Sequence, residues 1–251
     1  MRRLYFLAPA AVAAVTLAGC AILPQSPPPL PSLSPVSVVP SAAPTASTSP
    51  APSVAAVTVT DGFSDQEHAA MRIRARTCEE FTVGSGFMLD EHTVVTNRHV
   101  VEDAQTITLT TYDGEQYEGT ASVMADFADL ALVTVDEPLE FAAPIATTEP
   151  APDDELDVVG YPLGGPLETR TGPFIKRVPD TIGEGRDDVD LIKVQAEHGN
   201  SGSAVYDDAG KVVGVLYATD KKGESFAVTL ESLSAFLSDT SLQLPNDADC
   251  Q

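Results

Sequence analysis

From residue 66 onward, short stretches of alternating apolar and polar residues are separated by turn signals such as Asp113-Gly114. Alternation with a period of two is typical of β-strands that bury one face. The pattern predicts five strands in a first group, at 81–89, 93–97, 106–112, 118–125 and 130–135. Six further strands form a second group, at 156–160, 170–178, 190–196, 203–206, 211–218 and 225–229.

Helical periodicity is confined to residues 64–72 and to residues 230–237, where Leu230, Leu233, Phe236 and Leu237 share one face. Strands without regularly interleaved helices indicate an all-β fold. A segment rich in Pro, Glu and Asp at 149–155 divides the strands into two groups. The pattern therefore predicts one globular domain at 66–251 made of two six-stranded antiparallel β-barrels, at about 78–148 and 155–240, followed by a short C-terminal helix.

The first nineteen residues combine Arg2 and Arg3, an apolar run and small residues before Cys20, which is typical of a secretory signal peptide. The apolar run is shorter than the ~20 residues that span a bilayer. Leu17-Ala18-Gly19-Cys20 resembles the lipobox of bacterial lipoproteins, which implies cleavage before Cys20 and lipid, such as palmitate, on that residue. An ordinary secreted protein is the alternative, and the sequence leaves open whether export uses the Sec or the twin-arginine route.

Residues 21–60 contain no charged side chain and hold ten of the chain's twenty prolines. Such a segment buries too little apolar surface to offset its ordering entropy, so residues 20–65 are predicted to be a lipidated, extended tether. The net charge is −23 and becomes −25 without Arg2 and Arg3. Because a phosphate backbone needs a basic surface, this charge argues against nucleic acid as a partner.

Three cysteines are present, and lipid on Cys20 leaves Cys78 and Cys250 as a disulfide pair in an oxidising compartment. In the chain-entropy model, a bond closing so long a loop contributes about 5 kcal/mol at most. Two cysteines without a matching cluster of histidines do not predict a metal site, and no cofactor motif is present. We expect no metal, no cofactor and a disulfide that holds the end of the chain against the first strand of the domain.

The candidate chemistry begins with His99, which lies at the end of a predicted strand in the apolar frame VVTNRHVVEDA. A lone histidine there would usually be structural. Thirty residues later, DFADLALVTVD places Asp129 at the head of a buried strand, where a carboxylate needs a partner that keeps it charged. Asp126 and Asp136 flank it at positions expected to be nearer solvent.

Ser201 follows within Gly199-Asn200-Ser201-Gly202-Ser203. A serine hydroxyl becomes a nucleophile when an imidazole accepts its proton and a carboxylate fixes the imidazole. Glycine at position 199 permits backbone dihedrals that turn amide groups toward one point, as an oxyanion hole requires. The chain order His, Asp, Ser is that of the chymotrypsin arrangement.

These motifs resemble those of the bacterial trypsin-like serine proteases with the chymotrypsin fold. Gly84-Ser85-Gly86-Phe87 is similar to a strand of the family's first barrel, and the stretches around His99, Asp129 and Ser201 are similar to its three catalytic motifs. The resemblance implies that His99 is the general base, that Asp129 orients it, and that Ser201 attacks the peptide carbonyl. The amides of Gly199 and Ser201 would bind the oxyanion.

The chain resembles membrane-tethered periplasmic stress proteases in which a long-range disulfide joins the two ends of the domain. By this resemblance Gln195 lies near the floor of the primary pocket, and Tyr217, Ala218 and Thr219 form the strand that pairs with substrate. His198 is expected to be an exposed loop residue. Because only fourteen residues follow Leu237, we expect no PDZ module after the barrel.

One residue departs from the family pattern. The family usually has glycine at the position of Ser203, whose side chain must find room beside the nucleophile. The sequence thus predicts a monomeric serine endopeptidase acting on proteins or peptides, lipid-anchored on the extracytoplasmic face of the cell membrane. The alternatives are a catalytically silent binding or regulatory lipoprotein, for which Ser203 is the best support, and a purely structural envelope protein.

Overall fold

The computed structural model describes residues 61–182, 187–220 and 222–246. The described chain begins with a short helix, α1, at Asp65–Ala69, which Ser64 caps by accepting a hydrogen bond from the backbone N–H of Glu67. The chain then continues directly as strand β1. The signal peptide, Cys20, most of the tether and Cys250 lie outside the described residues.

The first barrel contains six strands and a seventh on its outside. The strands are β1 at Ala70–Arg76, β2 at Phe81–Asp90, β3 at Thr93–Thr96, β4 at Thr106–Thr110, β5 at Gln116–Ala125 and β6 at Ala131–Val135. They pair in the order β5-β4-β1-β2-β3-β6, and pairing of β6 with β5 closes the barrel. A four-residue helix, α2 at Arg98–Val101, follows β3 and holds His99.

The second barrel is a closed ring of six antiparallel strands in the order β10-β11-β12-β9-β8-β7. Its strands are β7 at Glu155–Gly160, β8 at Glu168–Pro179, β9 at Asp188–Ile192, β10 at Ala204–Tyr206, β11 at Val212–Thr219 and β12 at Ser225–Thr229. The helix α3 at Leu230–Ser238 follows, and strand β13 at Gln243–Pro245 returns to pair with β5 of the first barrel. The predicted architecture of two six-stranded barrels and a short C-terminal helix is confirmed.

Each barrel has its own apolar interior, and a third cluster joins the two. Ile73, Leu109 and Val133 are buried inside the first barrel, and Leu156 and Val213 inside the second. The joining cluster includes Phe87, Leu130, Val159, Tyr206, Leu233 and Phe236. Burial of apolar area at roughly 25 cal/mol per Å² makes these clusters the main stabilising contribution. The groove that holds His99 and Ser201 opens where the two barrels meet.

The prediction of a helix over 64–72 was wrong for its last three residues. The helix ends at Ala69, and Ala70–Arg76 forms β1, so the first barrel begins before the predicted residue 78. The reason lies in the alternation of buried Ile73 and Ala75 with exposed Arg74 and Arg76, a period of two that overrides the helix start at Ser64. Within the described part of the chain, no helix has the length and apolar character needed to cross a membrane.

Candidate active site

His99 and Asp129 meet at the edge of the first barrel. The backbone turns from β3 into α2 at Asn97, and Asp129 lies just before β6. Nδ1 of His99 is 2.6 Å from Oδ2 of Asp129, and the backbone N–H of His99 donates to Oδ1 at 3.0 Å. Asn97 donates through Nδ2 to the Asp129 carbonyl oxygen at 2.7 Å. The carboxylate therefore fixes both the ring and the backbone of the histidine.

These contacts raise the pKa of His99 above its ordinary value. Burial lowers that pKa, but the hydrogen bond and the charge of Asp129, with the charge of Glu102, raise it by more. The side chain of His99 is 47% exposed and that of Asp129 is 18% exposed. Nε2 of His99 forms no hydrogen bond with any described residue. The free nitrogen is thus available as a base on the groove side.

Ser201 lies in a turn built on two glycines with positive φ, Gly199 at 92° and Gly202 at 89°. A Cβ at Gly199 would come within 2.6 Å of the Tyr161 carbonyl oxygen, and one at Gly202 would overlap the Ser85 carbonyl oxygen. Both conformation and space therefore require glycine at these positions. The turn is closed by the Ser203 N–H, which donates to the Asn200 carbonyl oxygen at 2.9 Å.

The amides of Gly199 and Ser201 have no hydrogen-bond partner among the residues that the structure describes. The peptide between His198 and Gly199 is fixed from behind, because the His198 carbonyl accepts from the Leu163 N–H at 2.5 Å. In a trans peptide the C=O and N–H bonds point in opposite directions, so the Gly199 N–H is directed away from Leu163. Two unpaired backbone donors near a serine hydroxyl are what an oxyanion hole supplies.

His99 and Ser201 line one groove of about 300 Å³, which we call the His99–Ser201 groove. Its other lining residues are Ala196, Glu197, His198, Leu216, Tyr217, Ala218 and Thr219. Ser201 Oγ lies 3.5 Å from the Tyr217 carbonyl oxygen and forms no hydrogen bond to His99 in this structure. Catalytic hydrogen bonds are often loose without substrate and tighten when it binds.

The structure places most of the predicted substrate residues in this groove. Tyr217, Ala218 and Thr219 line it, and so does the exposed His198. Gln195 does not line it; its side chain is exposed, and its carbonyl oxygen accepts from Arg170 Nη1 at 2.6 Å. The residues predicted for the edge strand therefore line the groove, and the residue predicted for the pocket floor does not.

Ser85 was not predicted to have a role, although it organises the turn. It is fully buried, accepts from the Tyr161 N–H at 2.9 Å and donates through Oγ to the Gly199 carbonyl at 2.6 Å. Its backbone N–H donates to the Ser201 carbonyl oxygen at 2.7 Å. A small polar residue between two glycines in a buried strand was the signal available in the sequence.

The side chain of Ser203 is fully buried against Gly160 of β7, where an added Cβ would overlap Ser203 Oγ. The hydroxyl has no hydrogen-bond partner among the described residues. The extra atoms of Ser203 are therefore accommodated by a glycine on β7, and the turn around Ser201 keeps its form.

Two packed six-stranded barrels, with a histidine–aspartate pair on one and a glycine-flanked serine turn on the other, define the class of chymotrypsin-like serine proteases. Residues 84–215 match the family model described as the trypsin-like peptidase domain. Since this match spans more than half of the 251 residues, the chain belongs to the trypsin-like peptidase family.

Characterised relatives agree with this assignment. The chain is 31% identical over 182 residues to Serine protease Rv3671c of Mycobacterium tuberculosis, covering 65% of this chain and 44% of that protein. It is 30% identical over 165 residues to Serine protease HTRA4 of Mus musculus, covering 62% and 34%. The matched region spans less than half the length of these relatives. The chain is therefore similar in sequence to serine proteases that include an HTRA protein.

Solved structures show the same fold. The active form of the Rv3671c protease from M. tuberculosis superposes with a TM-score of 0.66 at 23% identity, covering 74% of this chain and 86% of that one. The HtrA-type protease AlgW with a bound tripeptide superposes with a TM-score of 0.61 at 21% identity, covering 68% and 61%. Both comparisons support the chymotrypsin-like double barrel.

Proposed function

We propose that this serine protease homologue is an endopeptidase that hydrolyses protein or peptide substrates through His99, Asp129 and Ser201. The observation that carries the proposal is that His99, fixed by Asp129 at 2.6 Å, and Ser201 line one groove, and that the Ser201 turn holds two amides without a partner among the described residues. A site without chemistry has no need of that combination. Family membership supports the hydrolase class, and the geometry supports the assignment of roles.

In the proposed reaction, Ser201 Oγ leaves the Tyr217 carbonyl and donates its proton to Nε2 of His99 as it attacks the substrate carbonyl carbon. Asp129 stabilises the resulting imidazolium through Nδ1–H, without taking the proton itself. The amides of Gly199 and Ser201 stabilise the negative charge on the former carbonyl oxygen. His99 then protonates the leaving amine, and water hydrolyses the acyl-enzyme with His99 again acting as base.

The substrate is proposed to bind as an added strand along β11. The pairing of β10 with β11 ends at Val215, and Leu216 then bonds through its N–H to the Ser203 carbonyl and through its carbonyl to the Gly202 N–H. Beyond the Tyr217 carbonyl, which Ser201 Oγ contacts, Ala218 and Thr219 have no backbone partner on that side among the described residues, while β12 pairs with β11 on the other. A free edge of this kind accepts an extended peptide by β-augmentation. Ala196 and Leu216 give the adjoining pocket an apolar wall.

The deciding experiment treats the full chain with a fluorophosphonate probe, which labels activated serines, and follows hydrolysis of unfolded protein by mass spectrometry. We expect covalent labelling on Ser201, and Ser201→Ala should abolish labelling and lower hydrolysis by about 10³-fold or more. Ser203→Ala serves as the matched control and should still be labelled.

One observation favours the alternative of a catalytically silent binding protein. Ser201 Oγ contacts the Tyr217 carbonyl oxygen and is not bonded to His99 before substrate binds. A wild-type chain that is folded, unlabelled and inactive on unfolded protein would support a catalytically silent binding module instead.

We also propose that lipid on Cys20 and the tether at 20–65 hold the enzyme on the outer face of the cell membrane, where Cys78 pairs with Cys250. In support of the pairing, Asn246 docks on the first barrel by donating through Nδ2 to the Val101 carbonyl at 2.8 Å. The four residues that follow Asn246, up to Cys250, can reach ~13 Å from it when extended. The Cys20→Ser variant should move from the membrane to the soluble fraction; retention in the membrane would contradict the anchor.

A further inference from the structure

A mixed basic and apolar surface lies beside the Ser201 turn, on the outer face of the first barrel. We call it the β1–β2 patch; its members are Arg74, Arg76, Phe81, Val83 and Leu163. Arg74 pairs across the sheet with Val83, and Arg76 pairs with Phe81. Directly opposed residues project from the same face of a sheet. The four side chains therefore form one surface.

The apolar members of the β1–β2 patch are unusually open to solvent. Phe81 is 75% exposed, Leu163 is 73% exposed and Val83 is 38% exposed. They are three of the six large hydrophobic side chains that are exposed among the described residues. Leu163 also has a positive φ of 56°. Contiguous exposed apolar side chains commonly mark an interaction site.

The basic members lack the carboxylate partners that other arginines in this chain have. Arg74 and Arg76 form no ion pair with any described residue, whereas Arg170 and Arg177 each contact at least two carboxylates. The Arg76 guanidinium lies 5.5 Å from the Phe81 ring centroid. Three carboxylates lie near these arginines. Glu79 and Glu80 lie in the turn after Arg76, and Glu118 lies on the same sheet face as Arg74, with Thr108 between them. Arg74 and Arg76 are the cationic side chains directly across from Val83 and Phe81.

The β1–β2 patch is continuous with the His99–Ser201 groove. The Ser85 N–H of β2 donates to the Ser201 carbonyl oxygen at 2.7 Å. Because backbone groups of an antiparallel strand alternate in direction, the N–H and C=O of Val83 face the same edge as those of Ser85. Pairing with β3 begins at Phe87 and the Ser201 turn occupies the edge at Ser85, while no described residue bonds to the backbone of Val83 on this edge. A Cβ at Gly164 would lie 2.7 Å from Val83 Cγ1, so the loop of Leu163 borders this edge.

We propose that the β1–β2 patch binds the part of a peptide substrate that follows the scissile bond and selects an apolar residue followed by acidic ones. The inference rests on the endopeptidase function proposed above. Strand β11 takes the residues before the scissile bond, so the residues after it leave Ser201 on the β2 side. Val83 and Phe81 are two and four residues from Ser85, about 7 and 13 Å along a strand at ~3.3 Å per residue. An extended peptide therefore carries its acidic residues past Arg74 and Arg76.

The test uses two peptides that are identical through the scissile bond and continue as Leu-Asp-Asp or as Leu-Lys-Lys. For the full-length enzyme, we expect kcat/KM to be about three- to tenfold higher for the acidic peptide at low salt, the range that exposed ion pairs supply. The Arg74→Glu and Arg76→Glu variants should each reduce or reverse this ratio. Lys211→Glu, which makes the same charge change at an exposed turn of the second barrel, should leave the ratio unchanged.

A binding measurement separates this inference from the proposed function. Fluorescence anisotropy with the full-length Ser201→Ala variant should show tighter binding of the acidic peptide, and Arg74→Glu should remove the difference. Equal kcat/KM values for the two peptides in an enzyme that is labelled at Ser201 would overturn the inference alone. Loss of binding to vesicles of anionic phospholipid in Arg74→Glu, with an unchanged peptide ratio, would overturn it in favour of a membrane-facing surface. Failure of Ser201 labelling would count against the function, whatever the binding result.

Discussion

Within the described residues, two histidines each pair with an aspartate. The two contact distances are similar, but the exposure and the surroundings of the two rings differ. His99 lies 2.6 Å from Asp129, and His68 lies 2.9 Å from Asp61. The His99 side chain is 47% exposed and lines the groove with Ser201, whereas the His68 side chain is 13% exposed. The comparison shows that a histidine–aspartate pair is not by itself a catalytic device.

The difference lies in the environment of the second ring nitrogen. His68 uses Nε2 for Asp61, and its buried Nδ1 has no partner in the described chain. Its ring stacks on Phe141 with centroids 4.6 Å apart and meets the edge of Tyr112 at 4.6 Å. That pair holds the start of the domain on the first barrel. His99 uses Nδ1 for Asp129 and leaves Nε2 free on the groove side, where a substrate and a nucleophile can reach it.

The largest difference in activity is expected when the aspartate of each histidine–aspartate pair is replaced by asparagine. Asp129→Asn is expected to lower kcat by about 10⁴-fold, because the amide favours the wrong tautomer of His99. Asp61→Asn should leave kcat within about twofold and lower only the midpoint of thermal unfolding, since its pair packs against aromatic rings. Steady-state hydrolysis and thermal melts measure both. Equal losses of activity in the two variants would contradict the separation of roles.

The same pair of variants should differ in its pH profile. A base must be neutral, and the pKa of His99 is raised, so the wild-type acid limb of kcat/KM should lie above about pH 6.5. The stabilisation that Asp129 gives to charged His99 is present below the unfolded pKa and is lost as the pH rises through the folded pKa. In Asp129→Asn the acid limb of the residual activity should move to lower pH, and in Asp61→Asn it should not move.

A second comparison tests the role of the oxyanion amides separately from the role of His99 as the base. Gly199→Ala keeps both histidine–aspartate pairs but places a Cβ 2.6 Å from the Tyr161 carbonyl oxygen at a φ of 92°. We expect a loss of about 10²- to 10³-fold in kcat, the cost of one oxyanion donor, with an unshifted pH profile. Gly114→Ala is the matched control, because φ is 95° there and nothing lies within 4 Å. Equal activity losses in the two variants would mean that backbone strain alone is responsible.

The smallest effect concerns Ser203 and its neighbour on β7. Ser203→Ala removes a buried hydroxyl that has no partner among the described residues and should raise stability by about 1 kcal/mol without changing kcat. Gly160→Ala should destabilise by about 1–3 kcal/mol through overlap with Ser203 Oγ. Ser203→Gly should largely rescue that variant. Additive free energies of unfolding in the double-mutant cycle would contradict direct contact.

The sequence predicted the features that depend on local pattern and chain order. The alternation of residues such as Val133 and Val135 with polar neighbours predicted strands, and the order of His99, Asp129 and Ser201 predicted the site. Features set by tertiary packing were missed. The helical periodicity predicted over residues 64–72 concealed the start of β1, because a helix of only five residues at Asp65–Ala69 runs directly into the strand.

Side-chain direction was also beyond the sequence. The position of Ser203 predicted crowding beside the nucleophile, but its hydroxyl packs against Gly160, 43 residues earlier in the chain, which has no side chain to collide with it. Ser85 acts through contacts to residues that are far away in sequence, as its bond to Gly199 shows. Gln195 was placed near the pocket floor by resemblance to the family, and a resemblance in sequence does not determine which way a side chain points.

The three contacts of Ser85 have a further consequence for how the enzyme can lose activity. Ser85, a residue of the first barrel, donates hydrogen bonds to the carbonyl oxygens of Gly199 and Ser201, and the Ser85 carbonyl oxygen packs against Gly202. The turn that holds Ser201 therefore depends on contacts with both barrels. A small slip of one barrel against the other would disconnect the turn while each barrel stayed intact. The rate of hydrolysis therefore reports whether the two barrels remain docked. When a denaturant is added gradually, activity should be lost before the barrels unfold.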